Sequence, residues 1–153
     1  PEPFNLPEFC SDIAQQFMLE AKEKQIELAM DYTSQACFVK ADIGLMERAM
    51  ENLIENALRY TPENGRVSIE IRREDGDVKL KVCDTGKGIP EDELPHIFER
   101  FYRSGQRRKE ADGHWGLGLA ITRKIINLHQ RDLKVESAPG RGSCFYFSLP
   151  VED

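Results

Sequence analysis

Between Asn52 and Pro62 the chain reads Asn-Leu-Ile-Glu-Asn-Ala-Leu-Arg-Tyr-Thr-Pro, and this stretch limits what the rest can become. At about 100° per residue on a helix, Asn52, Asn56 and Arg59 fall in one narrow sector. Met46, Met50, Leu53, Ile54, Ala57 and Leu58 form the neighbouring stripe, which needs a core to cover it. A helix buried on one side that sets two carboxamides and a guanidinium along its buried edge has something to hold there. Neutral oxygens beside a fixed cation suit a hydrated Mg²⁺ carrying phosphates, because Mg²⁺ keeps several waters and takes few protein ligands.

The 153 residues suit a single domain over 1–153 with a sizeable core, and 40% apolar with 31% charged residues is a globular balance. A net charge of −6 argues against a general polyanion surface, so no nucleic-acid partner is expected and any anion site is local. No apolar run approaches the length needed to cross a bilayer, no signal-peptide pattern opens the chain, and no direct membrane contact is expected. Pro1-Glu-Pro, without a Met, reads as the start of an excised fragment. Cys10, Cys37, Cys83 and Cys144 are widely spaced and form no C-x-x-C pair. Reduced thiols packed as small apolar residues in a cytosolic protein are the expectation.

The periodicity predicts a helix over roughly 7–24 and two short strands from Ile26 to Tyr32 and Ala36 to Lys40. Asp42 is an N-cap for the helix that runs to about Tyr60, and Thr61-Pro-Glu-Asn-Gly65 ends it. Val67, Ile69 and Ile71, then Val78, Leu80 and Val82, alternate as two strands joined across Glu74–Asp77. Residues 84 to about 115 show little periodicity and read as a lid or binding loop. A helix opens at Gly116 and runs to about Leu128, and strands follow at Leu133–Ser137 and Ser143–Leu149. Such blocks predict a two-layer α/β sandwich, its mixed, mostly antiparallel sheet covered on one face by three helices.

Four further segments carry chemistry. Asp84-Thr-Gly86-Lys-Gly88-Ile89 directly follows a strand, where a carboxylate can accept from the amine of adenine and repel the carbonyl of guanine. Alone, it fits a plain turn as well. Gly113-His-Trp-Gly116-Leu117-Gly118-Leu119 runs into a helix, whose exposed amides attract anions. Phe98 and Phe101, three apart in Ile97–Arg103, suit anchors of a short helix that carries Arg100 and Arg103. Gly140-Arg-Gly142-Ser143 precedes the last strand. His96, His114 and His129 show neither phosphoacceptor nor metal-ligand spacing, and each is expected to be structural or exposed.

In this order the segments resemble the N, G1, F, G2 and G3 boxes of sensor histidine kinases. Nearly the whole chain is similar to their catalytic and ATP-binding domain, which shares the Bergerat fold with the gyrase, heat-shock-90 and mismatch-repair ATPases. The resemblance implies ATP and Mg²⁺ as cofactors, with Asn56 as metal ligand and Asn52 supporting the phosphate site. It implies Arg59 on the phosphates, Tyr60 flanking adenine and Asp84 reading its amine. Gly86, Gly88 and Ile89 would shape the pocket, and Gly116, Leu117, Gly118 and Leu119 would form the phosphate loop. Arg103, with Arg100 as rival, is similar to the lid arginine that meets the γ-phosphate, and Ser143 stands where the family often has Thr. His114-Trp115 departs from the small residues usual in the glycine loop and puts lid geometry in question.

The activity implied by the resemblance is transfer of the γ-phosphoryl of ATP to a histidine on a separate dimerisation domain, for relay to a response regulator. Asn56, Arg59 and Arg103 would be the catalytic groups. The alternative is an ATPase or nucleotide-sensing module of the same fold. Relatives that hydrolyse ATP resemble one another in a Glu four residues before the metal-binding Asn, and Asn52 holds that position here. The resemblance implies a monomeric cytoplasmic fragment and a homodimeric parent anchored in the inner membrane, with sensor and phosphoacceptor domains upstream.

Overall fold

A computed structural model describes residues 1–32, 36–99 and 118–152. Strand β1 (Glu2–Asn5) leads into helix α1 (Leu6–Glu23), followed by β2 (Glu27–Tyr32), β3 (Phe38–Ala41) and helix α2 (Ile43–Tyr60). The hairpin β4 (Arg66–Glu74) and β5 (Asp77–Asp84) comes next, then a 3-10 turn at Leu94–His96, helix α3 (Gly118–Leu128), β6 (Lys134–Ser137) and β7 (Ser143–Pro150).

The main sheet has the order β2-β4-β5-β7-β6, with β2 parallel to β4 and every other pair antiparallel. The parallel pair starts where two connections meet: Asn64 N–H donates to the Gln25 carbonyl at 2.7 Å and Glu27 N–H to that of Gly65 at 3.0 Å. Burial alternates along β4, β5 and β7, so one face carries Val67, Ile69, Val82, Leu80, Phe145 and Phe147 into the core. Met46, Met50, Leu53, Ile54 and Leu58 of α2 share that core with Leu6, Ile13, Ile125 and Ile126 from α1 and α3. The other face shows Lys79, Lys81 and Tyr146, with both ammonium groups about 5 Å from the Tyr146 ring. The two-layer sandwich expected from the residue pattern is the observed fold.

Two features differ from that expectation, and a third adds to it. Strand β1, too short and too proline-bearing to register as a pattern, pairs antiparallel with β3 in a separate two-stranded sheet, and Val39 also bridges Val151. A 3-10 turn not expected from the pattern falls at Leu94–His96, where Pro95 favours an early position, while the short helix expected over Ile97–Arg103 lies in large part outside the described residues. Cys83 and Cys144 are not reduced thiols but a disulfide, because register sets them directly opposite on β5 and β7. Cys10 and Cys37 lie outside it and are buried, as expected.

Candidate functional site

The Asp42 carboxylate accepts from Leu45 N–H at 3.0 Å and so caps α2, fixing its phase from the first turn. That phase puts Asn52, Asn56, Arg59 and Tyr60 half-buried along the rim of the buried stripe. The Asn52 Nδ2 group faces the Gly118 carbonyl at 3.5 Å, and Thr122 Oγ1 donates to the same oxygen at 2.7 Å. The carboxamide edge of α2 therefore meets the first described turn of α3, at the positive end of that helix's dipole. Leu119 packs against the core at this start.

The second half is built at the end of β5. Asp84 is only 8% exposed, and its Oδ1 accepts from Gly86 N–H at 2.8 Å, as a buried carboxylate requires. Asp84 faces Ser143 across the β5–β7 ladder, and Ser143 is buried as well. Gly86 lies so close to the end of α2 that an added Cβ would stand 2.5 Å from the Tyr60 carbonyl oxygen. Gly142, at φ +76°, leaves no room for a Cβ against the Asp84 carbonyl. Asn52, Asn56, Arg59 and Tyr60 thus run along one helix whose end adjoins the Gly86 turn.

One residue in this cluster has no signal in sequence. The Ser137 hydroxyl takes the Ile89 N–H at 2.7 Å, lies 2.9 Å from Ser143 Oγ and donates to the Gly142 carbonyl at 3.0 Å. It binds the loop after Asp84 to the turn before β7, as does the 2.7 Å bond from Gly140 N–H to the Lys87 carbonyl. Only strand pairing brings Ser137 there, so spacing along the chain does not reveal it.

Ile97 is buried and the Phe98 ring meets Phe145 edge-on at 6.2 Å, with the Arg123 guanidinium 5.6 Å from the Phe98 centroid. Phe98 is therefore an anchor, as expected. Arg100, Phe101, Arg103, His114, Trp115, Gly116 and Leu117 lie outside the described residues. His129 is structural: it accepts from Asp42 N–H at 3.1 Å and contacts the Ile125 carbonyl at 2.8 Å, which ties the end of α3 to the start of α2. Exposed His96 pairs with Glu99 at 2.7 Å.

Among the described residues no three His, Cys, Asp or Glu side chains are grouped to hold a metal. The oxygen-donor chemistry at the α2 rim fits Mg²⁺, for which one carboxamide oxygen suffices when phosphates and water complete the shell. Glu51, which directly precedes Asn52, titrates above its ordinary value because of partial burial and then the charges of Glu47 and Glu55.

A mixed sheet under three helices, with a carboxamide-lined helix rim beside a buried strand-end carboxylate, defines an ATP-binding domain of the Bergerat type. Residues 41–153 match the family described as histidine kinase-, DNA gyrase B- and HSP90-like ATPase, and the chain belongs to that family. It is 42% identical over 147 residues to the adaptive-response sensory kinase SasA of Rippkaea orientalis, covering 95% of this chain and 37% of that protein. The catalytic domain of histidine kinase ThkA superposes with a TM-score of 0.86 at 28% identity, covering 97% of this chain and 94% of that one. ThkA has also been solved in complex with the response regulator protein TrrA (TM-score 0.83, 27% identity, 99% and 42% covered). Full-length ShkA in complex with AMPPNP is similar over 98% of this chain and 31% of its own, at 30% identity and a TM-score of 0.84. The chain spans a little over a third of the length of the SasA relatives it matches.

Proposed function

We propose that this chain is the catalytic domain of a two-component sensor histidine kinase, which passes the γ-phosphoryl of Mg-ATP to a histidine on a separate helical dimerisation domain. A response regulator then takes the phosphoryl group, as the TrrA complex of ThkA suggests by analogy. The observation that carries the reading is Asn52: a carboxamide, not a carboxylate, faces the start of α3 at 3.5 Å. Hydrolytic relatives resemble one another in a water-activating Glu at that place. On the helix Glu51 points about 100° from that place, and Glu55 about 60° from it and nearly a turn further along, so neither replaces it.

Phosphoryl transfer of this kind depends on positioning and charge stabilisation, with little covalent work for the protein. Mg²⁺, when bound, neutralises phosphate charge and orients the triphosphate. Asn56 would hold the metal and Asn52 support the phosphate site, while Arg59 stabilises phosphate charge. Asp84 accepts the adenine amine, Tyr60 flanks the ring, and Gly86, Gly88, Ile89 and Ser143 shape that pocket. Gly116, Leu117, Gly118 and Leu119 form the phosphate loop, and Arg103 or Arg100 reaches the γ-phosphate from a lid over about 86–115. The accepting histidine and its acid–base group come from the partner domain.

We further place residues 1–153 as one domain, monomeric by itself, on the cytoplasmic side of a homodimeric parent anchored in the inner membrane. Sensor and phosphoacceptor segments would precede it. No helix among the described residues is long and apolar enough to cross a membrane. The test mixes the chain with ATP labelled at the γ-phosphate and the phosphoacceptor domain of a sensor histidine kinase. Label on the acceptor histidine is the expected result. Free phosphate alone would make the chain an ATPase, and binding without turnover a nucleotide-sensing module.

A further inference from the structure

The disulfide lies one residue from the candidate adenine pocket, on the opposite face of the sheet. Along β5 and β7 the register pairs are Cys83 with Cys144 and, next to them, Asp84 with Ser143. Asp84 and Ser143 point into the core layer, whereas both cysteines are half-exposed on the face that none of the described helices covers. A small thiol or disulfide reaches that face without opening the core. We infer that Cys83 and Cys144 are a reversible thiol–disulfide pair whose state sets how tightly the Asp84 pocket holds its nucleotide. This rests on the reading of Asp84 as the adenine acceptor.

The coupling is mechanical. Gly142 packs against the Asp84 carbonyl, and Ser137 joins Gly142, Ser143 and Ile89 through one hydroxyl. Asp84 is therefore positioned by how closely the start of β7 approaches the end of β5. The disulfide covalently fixes that approach, while reduction leaves it to ladder hydrogen bonds that open locally at strand ends. The oxidised form is accordingly the preorganised one and binds more tightly.

The redox step balances with a small-molecule disulfide such as oxidised glutathione as the oxidant. One protein thiolate attacks it and expels a glutathione thiolate, forming a mixed disulfide. The second protein thiolate attacks the protein sulfur of that bond and expels the other glutathione. Two electrons pass to glutathione, and the two protein thiol protons end on the two glutathione thiols. The remaining cysteines take no part: Cys37 is buried, and burial pushes the Cys10 thiol up to about 12.

The 153-residue chain is equilibrated in glutathione buffers from reducing to oxidising, trapped with an alkylating reagent and read by mass spectrometry. Affinity for Mg-AMPPNP is measured by calorimetry in each state. Two thiols, Cys83 and Cys144, should titrate, and the reduced chain should bind about fivefold or more weakly. By reciprocity, saturating nucleotide should shift the glutathione midpoint towards the disulfide by the same factor. Cys83→Ser and Cys144→Ser, with Cys83→Ala as a second variant, should bind at the reduced affinity in every buffer. Equal, measurable affinity in both states would overturn the coupling alone, as would alkylation of both cysteines across all buffers or a redox response that survives in Cys83→Ser. Absence of binding in both states would overturn the reading of the site and the coupling together.

Discussion

Asn56 and Asn52 sit one turn apart on the same rim, yet their proposed duties differ, and substitution separates them. Removing a residue that supports a metal ligand costs roughly 10–100-fold in affinity, and removing the ligand itself costs more. Asn52→Ala is expected within that range for Mg-nucleotide binding and Asn56→Ala beyond it. Both should keep the wild-type melting temperature within a few degrees, since neither side chain belongs to the buried stripe. Calorimetry with and without Mg²⁺ checks this, and near-wild-type affinity for Asn56→Ala would refute its role. Asp84→Asn exchanges a pure acceptor for a group that can also donate to the guanine carbonyl. It should weaken adenine nucleotide binding by about 1–3 kcal/mol and narrow the preference for ATP over GTP. A competition titration measures both.

At the scale of elements, α2 carries its own pH dependence. Glu51 has a raised pKa because burial and then the charges of Glu47 and Glu55 disfavour its carboxylate. Between the ordinary glutamate value and this raised one, the folded chain binds a proton that the unfolded chain has lost. Stability therefore falls as pH rises through that window and stays lowered at neutral pH. Glu51→Gln is expected to stabilise by about 0.2–0.5 kcal/mol at neutral pH, an advantage that disappears in acid. Thermal melts at the two pH values test it.

What the residues alone reveal divides along the same line. Helix α2 and the β4–β5 hairpin are legible because their periods and turn chemistry are local. Asn52, Asn56 and Asp84 are legible because a polar group beside a core stripe, or at the end of a strand, contradicts simple burial. Strand β1 is not, since Glu2–Asn5 finds its partner at Phe38–Ala41, and nothing within four residues containing a proline announces that. The parallel pairing of β2 with β4 and the disulfide across a separation of 61 residues are non-local in the same way. Ser137 is invisible for the same reason, being an ordinary serine until β6 docks on β7.

For the molecule as a whole, one continuous core under one sheet implies a single cooperative transition. Phe147, 2% exposed and paired with Leu80 across β5 and β7, lies within that core. Phe147→Ala should lower stability by about 3–5 kcal/mol, seen as a lower urea midpoint, with circular dichroism and tyrosine fluorescence still tracing coincident curves. Divergent curves would show that the two layers unfold apart.

The small sheet adds a topological consequence. Because β1 pairs with β3 and Val151 bridges Val39, the beginning and end of the folded chain dock on one strand, at a single corner. A module whose entrance and exit are neighbours can be grafted into a surface loop of an unrelated host without being stretched, or joined end to end and reopened elsewhere. Polypeptide attached at either end would leave from the same corner, so a twist imparted there would be felt by both flanks at once.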